Sequence, residues 1–481
     1  LMQENNDSLP EKILVMKFGG TSVGTPEAMA QAVQNICDAR QDWPHMVVVT
    51  SALSGVTDLL MASAARAARG DMSLCHQAVG ELADRHQAII ERLVTNPARN
   101  HQMQWETRHL IDDFSNLCQA INVLGEASPR ALDAVAALGE RLSVRILAAA
   151  VESAGFPGEY IDSTLLVVTD DHFQNAAPDI AATRARTRQA LLPLLADGRI
   201  PVVTGFIGAN PSGATTTLGR GGSDYSASLL AVALDASEVW IWTDVDGVMT
   251  ADPRMVPDAR TIPVISYREV AEMAHYGAKV LHPKSIHPVI EAGIALRVRN
   301  TFNPTGPQTR LVADGSAATY GVIRAITSIR GLQLVTLSGR GMLGVPGVAG
   351  RIFSAVATTG VSVPLIIEST SEQAICFPAP KELVPEVVRT LQDHLSSELQ
   401  RGDIDRIFTS EDVDIITVIC PGLRGTTGVA GQIFGVLAEA GVNVLGISFG
   451  ASEVSINLIV SAADTQPAVR ALHTLVPSTP G

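Results

Sequence analysis

Nowhere in these 481 residues is there a GxxxxGK[ST] loop or the signature set of a protein kinase, so the two commonest solutions to phosphoryl transfer are absent. Cysteine is scarce. Its five copies, Cys37, Cys75, Cys118, Cys376 and Cys420, are scattered with no CxxC pair. That excludes a disulfide framework or a thiolate metal site and suits buried packing in a reducing compartment. No apolar run reaches the ~18 residues that a membrane span requires, and the polar, acidic opening lacks the apolar stretch of a secretory leader. Positive charge is also in deficit, 35 Lys and Arg against 49 Asp and Glu, for a net charge of −14. Nonspecific affinity for nucleic acid or an anionic membrane is therefore not expected. The expected setting is cytoplasmic, and any phosphate chemistry needs a locally basic pocket or a bound metal.

What is present is the composition of a globular α/β protein: 46% apolar and 17% charged residues, with 40 Gly and 26 Pro. The length predicts more than one core. A β-branched run at 13–17 passes into Gly19-Gly20-Thr21-Ser22 and a helical pattern over 26–40, and a second strand at 46–50 leads into Ser51-Ala52-Leu53-Ser54-Gly55. Residues 58–152 read as helical, broken at 96–100 and at Ser128-Pro129, and strands resume at 201–206 and 238–243. Alternation of this kind predicts a mainly parallel sheet sandwiched by helices. The stretch 300–315, with Asn303-Pro304-Thr305-Gly306-Pro307, reads as a linker.

Beyond it the chain repeats itself. Gly347-Val348-Ala349-Gly350-Arg351-Ile352-Phe353 recurs 81 residues later as Gly428-Val429-Ala430-Gly431-Gln432-Ile433-Phe434, and 14 of 31 aligned positions are identical. This is a duplication. Each copy predicts a ferredoxin-like βαββαβ module, with a glycine loop whose N–H groups suit a carboxylate. The expected domains are 12–310, 320–400 and 411–478.

Four stretches carry candidate chemistry. Lys17-Phe18-Gly19-Gly20-Thr21-Ser22 puts a lysine at a strand end, then two glycines and two hydroxyls at a helix start, a cradle for anions. Leu218-Gly219-Arg220-Gly221-Gly222-Ser223-Asp224 surrounds a planar, fork-shaped cation with glycines. Asp224 there suits an ammonium, a lysine or a metal, while the plainer reading is that Ser223 or Asp224 caps a helix. Trp242-Thr243-Asp244-Val245-Asp246-Gly247, followed by Met249 and Arg254, leaves the carboxyl end of a buried strand, where ligands of open α/β sheets sit, although its residues also suit a plain turn. Gly277-Ala278-Lys279-Val280-Leu281-His282-Pro283 offers one further lysine. By composition Glu140-Arg141 reads as an exposed helix face, and His282 and His287 read as structural rather than as metal ligands.

Together these motifs, in this order and with a duplicated tail, resemble the aspartokinases of the amino-acid kinase superfamily, the tail resembling their paired ACT domains. The resemblance runs from about Lys12 to Val476. It implies the amino-acid kinase fold, homo-oligomers formed through the ACT domains, and transfer of the γ-phosphoryl group of ATP, with Mg²⁺, to the side chain of L-aspartate. Lys17, Gly19, Gly20 and Ser22 are then implied on the phosphate side, and Thr243, Asp244, Met249, Arg254 and Lys279 around the nucleotide. Ser51, Thr57, Glu140, Arg220, Ser223 and Asp224 fall on the aspartate side, with Glu140 toward the ammonium and Arg220 toward a carboxylate. Lys17, Arg220 and Asp224 would be the catalytic set. Met249 departs from the family, where Tyr is common. No metal site of the protein's own is implied. The tail leaves open a kinship with bifunctional aspartokinase–homoserine dehydrogenases, whose dehydrogenase half would need a strand–GxGxxG–helix after it; no dehydrogenase activity is expected of the 481 residues themselves. A catalytically inactive amino-acid sensor would lack Lys17, Arg220 or Asp224.

The same resemblance bears on regulation by lysine or threonine, with Glu368, Asn443 and Phe449 as the implied effector positions. Threonine-inhibited relatives commonly carry a glutamine four residues before the glutamate of the Ser-Glu pair in each ACT unit. Here those positions hold Glu368 and Phe449.

Overall fold

A computed structural model describes residues 12–278, 281–315, 319–339, 347–368, 374–450 and 453–478. The chain divides into two compact units, Leu1–Val248 with Leu281–Ala313, and Met249–Val280 with Asp314–Gly481. The stretch 249–280, expected inside the catalytic domain, therefore clusters with the second unit.

The first unit begins with β1 (Ile13–Phe18), α1 (Gly20–Val23), α2 (Pro26–Arg40) and β2 (His45–Thr50). Four helices follow: α3 (Val56–Ala67), α4 (Ser73–Leu93), α5 (Pro97–Leu124) and α6 (Pro129–Ser153). The breaks seen in the sequence are caps. Asn96 accepts the N–H groups of Ala98 and Arg99, Ser128 accepts that of Ala131, and a proline follows each cap at the first helical position. After β3 (Gly158–Ile161), α7 (Ile180–Ala196) and β4 (Ile200–Thr204) comes a hairpin of β5 (Ile207–Ala209) and β6 (Thr215–Thr217). Then come α8 (Gly222–Ala233) and β7 (Glu238–Thr243). In the second unit lie β8 (Val264–Ser266) and α9 (Tyr267–His275), after which α10 (Pro283–Glu291), β9 (Ala295–Asn300) and β10 (Thr309–Val312) return to the first.

Its sheet runs β3-β4-β2-β1-β7-β9-β10, parallel throughout except that β10 is antiparallel to β9. The central strands are buried, which is why β1 and β2 read as unbroken apolar runs rather than as alternation. The expected linker is in part this last strand. Gly306 N–H closes a turn on the Asn303 carbonyl, and Thr309 and Leu311 are buried against the sheet.

The second unit continues with β11 (Ala325–Ser338), α11 (Val348–Thr358), β12 (Ile367–Glu368), β13 (Ala374–Pro380), α12 (Val384–His394) and α13 (Ser396–Arg401). The second copy of the repeat supplies β14 (Arg406–Ile419), α14 (Val429–Glu439), β15 (Val444–Phe449), β16 (Ser455–Ser461) and α15 (Thr465–His473). All six strands form one antiparallel sheet, β12-β13-β11-β14-β16-β15.

The ferredoxin-like module is present twice, with one departure. Each copy supplies only three strands of its own, and the fourth comes from the other. Residues 332–338 of β11 pair with β13 on one side and with 406–413 of β14 on the other. Residues 413–419 of β14 pair with β16, and against 415–419 lies the first part of β11, 325–329. The register breaks between Ile329 and Leu332, at Gly331, whose φ of 76° suits glycine. Ile326 consequently belongs to the core of the second copy, with Ile416, Ile433, Leu458 and Leu472, while Leu337 serves the first, with Ile352, Phe377 and Leu391.

Candidate active site

The carboxyl ends of β1, β2 and β4 converge on a cavity of about 600 Å³. Lys17 is the penultimate residue of β1, nine-tenths buried, and its Nζ stands 2.7 Å from Oδ1 of Asp224 in the first turn of α8. Around this pair lie Gly20, Ser51, Thr57, Glu140, Arg220 and Ser223, all expected from the sequence. Sterics explain the glycines. A Cβ on Gly20 would stand 3.0 Å from the Ala52 carbonyl oxygen, and Gly221, with φ of 70°, would push one to 2.5 Å from Ser285 Oγ. Gly19 donates its N–H to the Trp242 carbonyl, which fixes the turn against β7.

Glu140 is not on an exposed face as its composition suggested. It is 3% exposed, on the side of α6 turned to the cavity. Oε1 accepts the Ala52 N–H at 3.2 Å, and Oε2 has no hydrogen-bond partner among the described residues. Burial pushes this carboxyl up to about 8, against the lowering effects of the Ala52 N–H and of Lys17. Glu140 Oε2 is thus a buried polar atom in want of a donor, in the wall of the cavity that Lys17 and Arg220 also line. Arg220 also lines the cavity and is exposed, with no hydrogen bond or ion pair to its guanidinium among the described residues.

Several expected residues lie elsewhere. Ser22 is fully buried and away from the cavity, its hydroxyl 2.6 Å from Thr301 Oγ1 and its N–H bonded to the Gly19 carbonyl. It pins α1 to the end of β9 and has no hydroxyl left for a phosphate. Thr243 and Asp244 follow on from Trp242, joined by a 3.1 Å hydrogen bond between their side chains. Met249 and Arg254 belong to the second unit. There Met249 Sδ accepts from the Thr261 hydroxyl, and exposed Arg254 forks onto Asp252. Lys279 lies outside the described residues. Glu368 and Phe449 sit on the edge strands β12 and β15, which meet where Ile367 fills the space left by Gly446, and exposed Asn443 precedes β15.

The sequence reading missed Asp133, Gln174 and Phe206, all in the cavity wall. Asp133, Ala136 and Glu140 recur at the spacing of one helix face, a signal that was available. Phe206, a non-glycine residue at φ of 69°, gave none.

Residues 12–300 match the profile of the amino acid kinase family, and residues 335–395 and 416–475 match that of the ACT domain. The chain belongs to the amino acid kinase family and, within it, to the aspartokinases. It is 31% identical over 464 residues to aspartokinase 1, chloroplastic, of Arabidopsis thaliana, covering 95% of this chain and 79% of that protein. It is 34% identical over 465 residues to the bifunctional aspartokinase/homoserine dehydrogenase of Haemophilus influenzae, covering 95% of this chain and 56% of the relative. The chain thus spans about half the length of the bifunctional relatives it matches. E. coli aspartokinase III in complex with aspartate and ADP superposes with a TM-score of 0.79 at 31% identity, over 96% of this chain and 99% of that one. The same enzyme in complex with lysine and aspartate gives 0.76 at 33% identity, with the same coverage.

Proposed function

We propose that this chain transfers the γ-phosphoryl group of ATP to the side-chain carboxylate of L-aspartate, giving 4-phospho-L-aspartate. The observation that carries the reading is the cavity in which the Lys17–Asp224 pair faces buried Glu140 and open Arg220. E. coli aspartokinase III, to which the chain is similar, binds aspartate and ADP. Acyl phosphates of this kind feed the biosynthesis of lysine, threonine and methionine.

Aspartate's side chain, with a reference pKa of about 3.9, is already an ionised nucleophile at neutral pH, so no general base is required. The difficulty is bringing two anions together. Lys17 neutralises charge on the transferring group, held in direction by Asp224, and the turn at Gly19 and Gly20 lets main chain approach the phosphates. Glu140 takes the ammonium and Arg220 a carboxylate, so that the free side chain points in line. Thr243 and Asp244, at and just past the end of β7, are the residues of the first unit on the nucleotide side.

Among the described residues no three His, Cys, Asp or Glu side chains converge on a common point. Asp224, in the first turn of α8, would be the carboxylate of this chain to meet a Mg²⁺ that arrives on the nucleotide. When bound it neutralises phosphate charge.

Residues 12–310 are the catalytic domain in this reading, and 320–400 and 411–478 the sensing domains, through which copies of the chain associate. No helix among the described residues is long and apolar enough to cross a membrane, and free, buried or half-buried cysteines suit a reducing cytoplasm.

Purified chain given aspartate and ATP should release ADP and form an acyl phosphate that hydroxylamine traps as the hydroxamate. Absence of aspartate-dependent ADP release would defeat the reading.

A further inference from the structure

Asp133 belongs to none of the four motif stretches, yet among the described residues it is the most heavily hydrogen-bonded carboxylate in the cavity wall. It stands at the start of α6, roughly two turns before Glu140 on the same face, and is 1% exposed. Its Oδ2 accepts the main-chain N–H groups of Gln174 and Thr217, each at 2.9 Å. Its Oδ1 accepts the Thr217 hydroxyl at 2.8 Å and shares the Gln174 N–H at 3.1 Å.

Both partners lead to Arg220. Thr217 ends β6, three residues before it in the chain. Gln174 is held left-handed at φ of 71°, a conformation that needs outside support in a non-glycine residue. Its carbonyl and the Asn175 side chain abut Gly219, where a Cβ would lie 3.2 Å from Gln174 O and 2.8 Å from Asn175 Oδ1. One buried carboxylate therefore ties the helix that bears Glu140 to both segments that enclose the root of the Gly219-Arg220-Gly221 loop.

A substrate gripped at its ammonium by Glu140 and at its α-carboxylate by Arg220 presents its free side chain toward Lys17, and the firmness of that grip fixes how long an arm reaches the phosphoryl group in line. Aspartate and glutamate share the two gripped groups and differ by one methylene in the free arm, so a rigid grip separates them at the phosphoryl group and a slack one does not. Resting on the aspartate-kinase reading above, we infer that Asp133 is a positioning residue. It holds Glu140 and Arg220 in register, so that the α end of the substrate is gripped in one pose, and with that pose comes the preference for a four-carbon over a five-carbon acidic amino acid.

The test uses the full chain, Asp133→Asn and Thr217→Val, with aspartate and glutamate as substrates at varied ATP. Where glutamate turnover is too slow to read, its competitive inhibition is measured instead. An asparagine keeps the size but removes the charge, and its NH2 in the place of Oδ1 gives up the shared Gln174 N–H and forces the Thr217 hydroxyl to accept rather than donate. The expected result is a fall in kcat/KM for aspartate of about 10- to 100-fold, the scale of a misplaced contact. Glutamate is affected far less, so the aspartate-to-glutamate ratio narrows while KM for ATP stays put. Thr217→Val, which keeps the main-chain bond, should shift the ratio the same way by less. Equal losses on both amino acids, a parallel rise in KM for ATP, or an unchanged ratio in a folded variant overturns the inference. If Asp133→Asn does not fold, an unchanged ratio in Thr217→Val does so alone. A parent chain inactive on aspartate would instead remove the underlying reading, whereas an active parent with unshifted variants removes only this one.

Discussion

Single residues decide the chemistry, and those that could be read in advance are those set in unusual surroundings. Lys17, Arg220 and Asp224 stood out because glycines flank them for no reason of helix or strand propensity. Lys17→Ala should lower kcat by at least ~10²-fold, the scale for removing a preorganised charge at a transferring phosphoryl group, with little change in melting temperature. Near-parental turnover in a folded variant would remove Lys17 from its role. Glu140 was legible only by resemblance, because a Glu-Arg pair in a helix says nothing of burial. Its environment now makes a pH prediction. Unfolded, the group ionises near the ordinary carboxylate value of 4.5, but in the folded protein it does so only at about 8. The folded state holds the extra proton between those values. The group's contribution to stability is therefore full below the window and is lost as pH rises through it. Glu140→Gln abolishes that dependence, so its melting temperature relative to the parent should climb as pH is raised from 4.5 to 8. The same variant should raise KM for aspartate far more than KM for ATP. A flat difference in melting temperature across the window, or equal effects on the two substrates, would count against a buried ammonium seat.

At the scale of elements, β1, β2, β4 and β7 followed from apolar runs, and the breaks before α5 and α6 from Asn96 and Ser128 ahead of proline. The exchange of strands between the two repeats did not. A repeat in sequence shows that two copies exist, but pairing partners are set by tertiary register, which no local pattern encodes. Nor did β10 show through its Pro- and Gly-rich surroundings, because four residues carry too little periodicity. The exchange can be tested through Ile326, which is 1% exposed and sits in the core of the second copy. Ile326→Ala should cost about 2–5 kcal/mol. Hydrogen exchange should rise first in β14 and β16, far along the chain, rather than in β13. Protection lost equally from β13 and β16 would mean that the strand does not serve the copy to which it is assigned.

At the scale of the whole molecule, the sensing role proposed for the paired domains carries a prediction about the effector. Glu368 and Phe449 stand on edge strands that meet at Ile367 and Gly446, and Phe449 is 54% exposed. Neither offers the neutral amide expected for threonine, and an unmet polar partner costs about 1–3 kcal/mol in a desolvated site. A carboxylate at Glu368 repels an effector carboxylate but attracts an ammonium. Calorimetric titration should show threonine binding weakly or not at all, with lysine the better ligand; micromolar threonine affinity would refute this. The exchanged strands also have a consequence for how the chain is made. As the polypeptide emerges from the ribosome, the first copy lacks its last strand until residue 413 is out. The strand 325–329, synthesised early, waits without its partner until 415–419 arrive. Neither copy closes on its own: the first can close once residue 413 is out and the second only after β16 follows, and until then an unpaired β edge is open to capture by neighbouring chains.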